Sequence, residues 1–305
     1  MQKAIVVTGQ TGTGKTSYAL SLAKEKRGEI INADARQIYK HLTIVTGKDI
    51  NGGMFTKVGE IPLEQGRKAD IGYYVLEDVR VWGYDLIGPG TIFSSHDYKV
   101  VAEYIIRNAI AQSSLPIIVG GTHFYITHLT QGFSIKVPPN WKLRNELAGL
   151  SITQLHQKLH ALNALVLPTM NTSDQRNPHR IIRKIEIAMS DQSEQKALMQ
   201  HNIEVDEYIG FKFGSTATCK QVLRTRVAQR LAQGAVEEVQ QLRTMGYTTR
   251  DPGLQAIGYK QLMAHVEGNT TLEEASESWL TAEVQYAKRQ LSFMKQNSQI
   301  NWHTV

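Results

Sequence analysis

The run Gly9-Gln10-Thr11-Gly12-Thr13-Gly14-Lys15-Thr16 satisfies G-x-x-x-x-G-K-[ST] at every fixed position. Ala4-Ile5-Val6-Val7-Thr8, apolar and β-branched, precedes it, and the helix-forming stretch Ser17-Tyr18-Ala19-Leu20-Ser21-Leu22-Ala23 follows. Strand, glycine turn and helix in that order make a phosphate-binding loop. The glycines let successive backbone N–H groups point into one concavity at the positive end of a helix dipole. Gly9, Thr11, Gly12, Thr13 and Gly14 form the cradle, Lys15 reaches the terminal phosphates, and the Thr16 hydroxyl is placed to hold Mg²⁺. The loop does not say what the phosphate belongs to. It fits a nucleotide to be hydrolysed, a phosphoryl donor, or a diphosphate that departs intact.

Such a loop predicts an α/β fold, a P-loop NTPase-like parallel sheet flanked by helices, with a mostly helical insertion. At 305 residues one large domain plus a smaller one is expected. A hydrophobic content of 41% supports a sizeable core, and no apolar stretch reaches the length of a membrane span. The first strand begins almost at residue 1, which leaves no room for a signal peptide and predicts a cytoplasmic protein. A single cysteine, Cys219, excludes a disulfide framework or a cysteine-based zinc site. Net charge of +6 fits a polyanionic partner. Two windows concentrate it without any acid: Arg176, Arg180, Arg183 and Lys184, then Lys220, Arg224, Arg226 and Arg230. Unmixed basic windows favour phosphate contacts over a merely solvated helix face.

Along the chain, Glu29–Ala33 reads as a second strand, with Asp34 just beyond it, where parallel α/β sheets place functional residues. Residues 47–72 read as a glycine-rich loop or hairpin excursion. A helix is expected over 96–112 and a buried strand over 116–122. After Phe133 the character changes. Asn140 is a helix cap, 141–205 shows mostly helical periodicity, and Asn177-Pro178 starts a helix that sets Arg176, Arg180 and Arg183 on one side. Long helices are expected over 220–245 and 271–297, the second opened by a capping box at Thr271. The predicted division is a discontinuous core, 1–138 with 206–305, and a helical insertion, 139–205.

An ordinary P-loop NTPase needs a second carboxylate on Mg²⁺ at the end of an apolar strand. Strand 116–121 ends Gly120-Gly121-Thr122 without one. Asp34 is the strand-end carboxylate that remains, a base or metal ligand, with Arg36 and Gln37 as substrate contacts. An aspartate there also serves as a helix cap, and both roles can coexist.

Six motifs now stand in order: Gly9–Thr16; Asn32-Ala33-Asp34-Ala35-Arg36-Gln37-Ile38-Tyr39; Ile118-Val119-Gly120-Gly121-Thr122-His123-Phe124-Tyr125; Arg180-Ile181-Ile182-Arg183; Ala256-Ile257-Gly258-Tyr259-Lys260-Gln261; and Gln285-Tyr286-Ala287-Lys288-Arg289-Gln290. Together they resemble the bacterial type of the tRNA dimethylallyltransferase (tRNA isopentenyltransferase) family, across nearly the whole chain. The resemblance implies an enzyme that moves a dimethylallyl group from dimethylallyl diphosphate to N6 of the adenosine just 3′ of the anticodon of a tRNA. It implies Asp34 as base, Thr122 at the reaction channel, and Arg226 or Arg230 on the diphosphate. It implies tRNA contacts at Asp34, Ala35, Arg36, Gln37, Thr122, Arg144, His179, Arg180, Arg183, Gly258, Tyr259 and Lys260. Mg²⁺ on Thr16 is the implied cofactor, and the protein is expected to act as a monomer with no membrane partner.

The chain departs from the family pattern in three places. Gln10-Thr11-Gly12-Thr13 replaces the usual Pro-Thr-Ala-Ser, Ala35 replaces a serine, and Trp82-Gly83-Tyr84-Asp85 replaces a histidine pair, after a longer excursion at 50–80. Three rival readings share parts of this pattern. A free-nucleotide (adenylate) isopentenyltransferase would need no tRNA-gripping insertion. A small-molecule kinase would share the loop, and a non-catalytic RNA-binding module would not need Lys15-Thr16 with Asp34 intact.

Overall fold

In the computed structural model, which describes residues 3–50, 52–132, 137, 139–190 and 203–305, the apolar run before the phosphate loop is β1 (Ala4–Gly9), buried along its whole length. The other described strands are β2 (Gly28–Asn32), β3 (Thr56–Pro62), β4 (Lys68–Leu76), β5 (Val79–Trp82), β6 (Leu115–Gly120), β7 (Val205–Lys212) and β8 (Ile300–Thr304). They form one sheet in the order β3-β4-β5-β2-β6-β1-β7-β8. From β5 to β8 the neighbours run parallel, while β4 is antiparallel to both β3 and β5. The sheet is therefore mixed, and its antiparallel edge is the excursion at 50–80. That edge is dressed with charge: Lys57 pairs with Glu60 and Asp70 at 2.8 Å each, and Lys68 with Glu60 at 3.3 Å. Charged edges discourage further strand pairing.

Alternate side chains of the central strands go to opposite faces. Ile5 and Val7 join Ile30, Ile117 and Val119 beneath α1 (Lys15–Lys26), through its Ala19, Leu20 and Ala23. Val6, Ile31 and Ile118 join the other core, with Tyr98, Val101 and Ile105 of α2 (Ser95–Ala111). A capping box of Ser94 and Asp97 starts α2. After β6 comes α3 (His123–Gln131).

The chain divides into two compact units, Met1–Gln131 with Asn202–Val305, and Gly132–His201. The smaller unit holds α4 (Trp141–Leu147), α5 (Ile152–Leu162), the single turns α6 (Val166–Thr169) and α7 (Thr172–Gln175), and α8 (Pro178–Met189). Its core is its own: Leu143, Leu147, Leu155, Leu159, Ile181 and Ile185. Asn140 and Asn177 cap α4 and α8 by accepting from Leu143 N and Arg180 N, and Pro178 takes the first turn of α8, where no N–H is needed. Expectations for Phe133, Pro138 and 191–202 lie outside the described residues, and 205 already belongs to β7.

The single helix expected over 220–245 is two. α9 (Thr216–Ala232) stops at Gly234, whose φ of 100° takes the chain out of helical geometry, and α10 (Ala235–Thr244) begins after it. Then follow α11 (Tyr259–Val266) and α12 (Leu272–Met294), the latter opened by the Thr271–Glu274 capping box. No helix among the described residues is long and apolar enough to cross a membrane.

Candidate active site

The phosphate loop opens onto a cleft at the carboxyl ends of β1, β2 and β6. Thr11, Gly12, Gly14, Lys15 and Thr16 line one side; Asn32, Asp34, Gln37, Thr46, Gly47, Asp49 and Tyr84 line another; Gly120, Gly121, Arg226 and Gln290 close it. Everything in that set belongs to the larger unit.

Two glutamines hold the loop to α12. Gln290 Oε1 accepts from Thr11 N at 2.8 Å, and its Nε2 donates to Gly121 O at 3.1 Å, tying the loop to the end of β6. A Cβ on Gly121 would overlap that amide and push the Gln290 side chain off its bonds to the loop and to β6. Gln10 donates to Ala287 O at 3.1 Å and accepts from Phe213 N at 2.9 Å. Thr13 returns its hydroxyl to Gln10 O at 2.8 Å. It braces the loop and, like Gly9, does not line the cleft. Neither Gln290 nor Gln10 was among the predicted site residues; both contacts link positions nearly 280 apart in sequence, beyond what any local motif encodes.

The Lys15 ammonium donates to Gln10 O at 2.7 Å. Burial pulls its pKa from 10.5 to about 8; the Asp34 carboxylate opposes that shift and the Arg226 guanidinium adds to it. Lys15 is thus a cation held at electrostatic cost until an anion arrives.

Asp34 follows β2 on a short hydrogen-bonded bridge. Asn32 Oδ1 accepts from Asp34 N at 3.1 Å, and Asn32 Nδ2 donates to Gly83 O at 3.2 Å. Asp34 Oδ1 accepts from Arg36 N at 2.9 Å, closing the turn over residues 35–38; no helix follows, so the carboxylate caps a turn rather than a helix while it lines the cleft. Its other carboxylate oxygen accepts nothing from the described residues. Thr122 lies beside this segment, its hydroxyl accepting from Ala35 N at 3.0 Å and its N–H donating to Ala33 O at 3.2 Å. The Thr122 hydroxyl also hydrogen-bonds Tyr286, a motif residue to which the sequence assigned no role, whose phenol burial pushes up first and the Asp34 charge further.

The two arginines left open by the resemblance separate cleanly. Arg226 lines the cleft. Arg230 does not: it is 5% exposed, pairs with Glu283 at 3.4 Å and lies over the Trp279 ring at 5.9 Å. Burial draws its pKa from 12.5 to about 10, helped by the neighbouring Arg226 charge. Its expected diphosphate contact is therefore corrected to a structural ion pair. Tyr259 is corrected too, being fully buried with its hydroxyl donating to Glu238 at 2.5 Å, and so is buried Gly258; Lys260 remains exposed. Glu238 meanwhile accepts from the N–H groups of Thr43 and Ile44 at 2.9 and 2.6 Å, so Tyr259 serves the 43–46 loop from below. Gln37 holds the same loop by donating to Gly47 O at 2.8 Å, and the exposed Arg36 donates to Pro252 O at 3.3 Å.

In the smaller unit the basic window is less free than its sequence implies. The acids that bracket it, Asp174 and Glu186, fold back on it. Arg144 binds the buried Glu186 carboxylate at 2.7 and 2.8 Å, and Arg183 binds it at 2.8 Å. Both hydrogen bonds and charge hold Glu186 below the usual carboxylate range against the cost of its burial. Arg144 and Arg183 are thus committed to an internal network rather than being open phosphate contacts. Arg180 pairs with Asp174 but is exposed, as are His179 and Arg176.

The cleft lining offers a metal oxygen donors and no His or Cys, with the Thr16 hydroxyl and the carboxylates of Asp34 and Asp49 among them. That set suits a hard cation such as Mg²⁺. Among the described residues no cluster of three or more His, Cys, Asp or Glu side chains forms a metal cage.

Comparison with known proteins follows the same lines. The IPP transferase family model matches residues 74–297, and the isopentenyl transferase model matches residues 2–61. The tRNA dimethylallyltransferase of Anoxybacillus flavithermus is 31% identical over 310 residues, covering 99% of this chain and 90% of that protein. That of Geobacter metallireducens is 29% identical, covering 98% and 92%. Among solved structures, the tRNA delta(2)-isopentenylpyrophosphate transferase of Staphylococcus epidermidis superposes with a TM-score of 0.65 at 28% identity, covering 100% of this chain and 93% of that one. A eukaryotic dimethylallyltransferase described as acting on tRNA shares the fold, with a TM-score of 0.75 at 22% identity, covering 100% and 74%. A phosphate loop facing a β2-end aspartate, on this sheet and with these relatives along its full length, leaves one assignment: the chain belongs to the IPP transferase family.

Proposed function

We propose that this protein transfers a dimethylallyl group from dimethylallyl diphosphate to N6 of the adenosine immediately 3′ of the anticodon of tRNA, releasing diphosphate. The observation that carries the reading is the shared cleft of Lys15, Thr16, Arg226 and Asp34, with no carboxylate at the end of β6. Cations for a leaving diphosphate therefore stand in one cavity with a carboxylate able to take a proton.

The chemistry follows from those groups. The allylic C–O bond breaks, and charge grows on the departing diphosphate. Lys15, the loop N–H groups and Arg226 face the cradle and stabilise that charge. The adenine amine forms the new N–C bond and its proton leaves. Asp34 takes the proton on the carboxylate oxygen that is not bonded to Arg36 N. Mg²⁺, held by Thr16 and substrate oxygens, would add Lewis-acid stabilisation of the same charge. The adenine has to leave its stack to reach the cleft, as loop bases do in RNA recognition. Exposed His179, Arg180 and Lys260 are the side chains of the predicted tRNA set best placed to meet RNA phosphates, and Ala35 and Thr122 flank the base.

The test is one set of incubations with dimethylallyl diphosphate labelled in its prenyl group and ATP labelled in its γ-phosphate, offered tRNA or AMP. Prenyl label entering tRNA and mapping to the nucleoside 3′ of the anticodon is the expected result. Prenyl label entering only AMP would instead give a free-nucleotide enzyme, and phosphate transfer from ATP a kinase.

A further inference from the structure

The cleft holds a second carboxylate that the motifs do not account for. Asp49 projects into it with Oδ2 3.8 Å from Arg226 Nη2. Among the described residues it is the only acid in ion-pair reach of Arg226. We propose that Asp49 is a built-in counter-ion of Arg226 that diphosphate has to displace, so that Asp49 limits how tightly the cleft holds diphosphate. This rests on the reading of the cleft as a diphosphate site.

Three consecutive residues fix Asp49 in place. Gly47, at φ +64°, lies against the guanidinium groups of Arg226 and Arg230, where a Cβ would overlap both. Lys48 turns the opposite way into the core, fully buried, donating to Tyr39 O at 2.6 Å and pairing with Asp85, whose other oxygen accepts from Tyr74. Asp49 then emerges at φ +51°, exposed on the cleft side. A non-glycine residue held in left-handed geometry costs free energy, so the anchoring at Lys48 is what keeps the carboxylate there.

Arg226 is meanwhile under-used. Its Nε is buried and has no hydrogen-bond partner, while Asp49 answers its charge only loosely through Nη2. A diphosphate, with several charges and more acceptors, outcompetes one exposed carboxylate for that fork. The displaced Asp49 stays within the field of the bound anion and repels it. The chain thereby trades affinity for release of a product that carries the same charges as the substrate's head group.

Calorimetric titration of the full-length protein with inorganic diphosphate at fixed Mg²⁺ tests this. D49N is expected to bind about five- to tenfold more tightly than wild type, a loss of one opposing charge near a partly solvated site. D49E should return towards wild type. In the R226A background D49N should give much less gain, because the competition it relieves is gone. Unchanged or weaker binding by D49N would overturn the proposal. So would weaker binding that excess Mg²⁺ restores, which would make Asp49 a metal ligand. If wild type and K15A both fail to bind diphosphate, the reading of the cleft itself fails along with the inference.

Discussion

The arginines of α8 and α9 look alike in sequence and behave differently in the fold. Each helix carries an acid-free basic window, and each window is met by acids outside it. On α8 the acids are the window's immediate neighbours, Asp174 and Glu186, and they hold Arg180 and Arg183 locally. On α9 they come from far away: Glu277 for Arg224, Asp49 for Arg226 and Glu283 for Arg230. Only Arg226 combines a loose partner with a place in the cleft. A basic window therefore predicts phosphate contact only for those cations whose partners are weak, and partner strength is a property of the tertiary structure.

The largest effect expected on this contrast concerns the loop that delivers Asp49. Lys48→Met leaves Asp85 partly buried without its cation, and should cost about 3–5 kcal/mol in urea unfolding; a loss under 1 kcal/mol would show that the loop does not depend on the pair. Next, Arg226→Ala should lower kcat/KM for dimethylallyl diphosphate by about 10²–10³. Arg230→Ala should act chiefly on stability, because it leaves the buried Glu283 with only the Trp279 indole and no cation. Equal losses of kcat/KM in the two folded variants would erase the distinction drawn between them. Lys15 adds a pH dependence. Its ammonium in the free enzyme titrates near pH 8, so kcat/KM should fall about tenfold per unit above that pH, whereas kcat, set by the diphosphate-bound form, should stay flat. A kcat/KM profile level to pH 9.5 would contradict it. The smallest effects lie on α8. Arg180→Ala should weaken tRNA binding a few-fold and reduce its salt slope by about one. Arg183→Ala should instead destabilise the smaller unit by about 1–3 kcal/mol, through Glu186.

The same contrast explains what the sequence could and could not disclose. β1, β2, β6 and the loop between β1 and α1 are contiguous signals, apolar runs closed by glycines, and Asp34 sits where a β2-end carboxylate is expected. The capping boxes and Asn-Pro starts of α2, α8 and α12 are local as well. The antiparallel edge β3–β4–β5 was readable only as an excursion, because its residues are charged and glycine-rich and owe their pairing to neighbours. β7 and β8 lack a local signal of comparable strength and form through each other and β1. Within the site, Gln290 and Asp49 reach the cleft, and Tyr286 reaches Thr122, by tertiary contacts alone. Arg230, one of the two arginines the resemblance offered, and Tyr259, inside a quoted motif, both pack inward, because their partners Glu283 and Glu238 are supplied by the tertiary structure.

The central claim is that one cleft combines a diphosphate cradle with Asp34 as the proton acceptor. Single-turnover prenyl transfer by Asp34→Asn, run beside its affinity for inorganic diphosphate and for tRNA, tests it most directly. The account predicts a transfer rate lower by about 10²–10⁴ with both affinities within a few-fold of wild type. A near-normal transfer rate would contradict it.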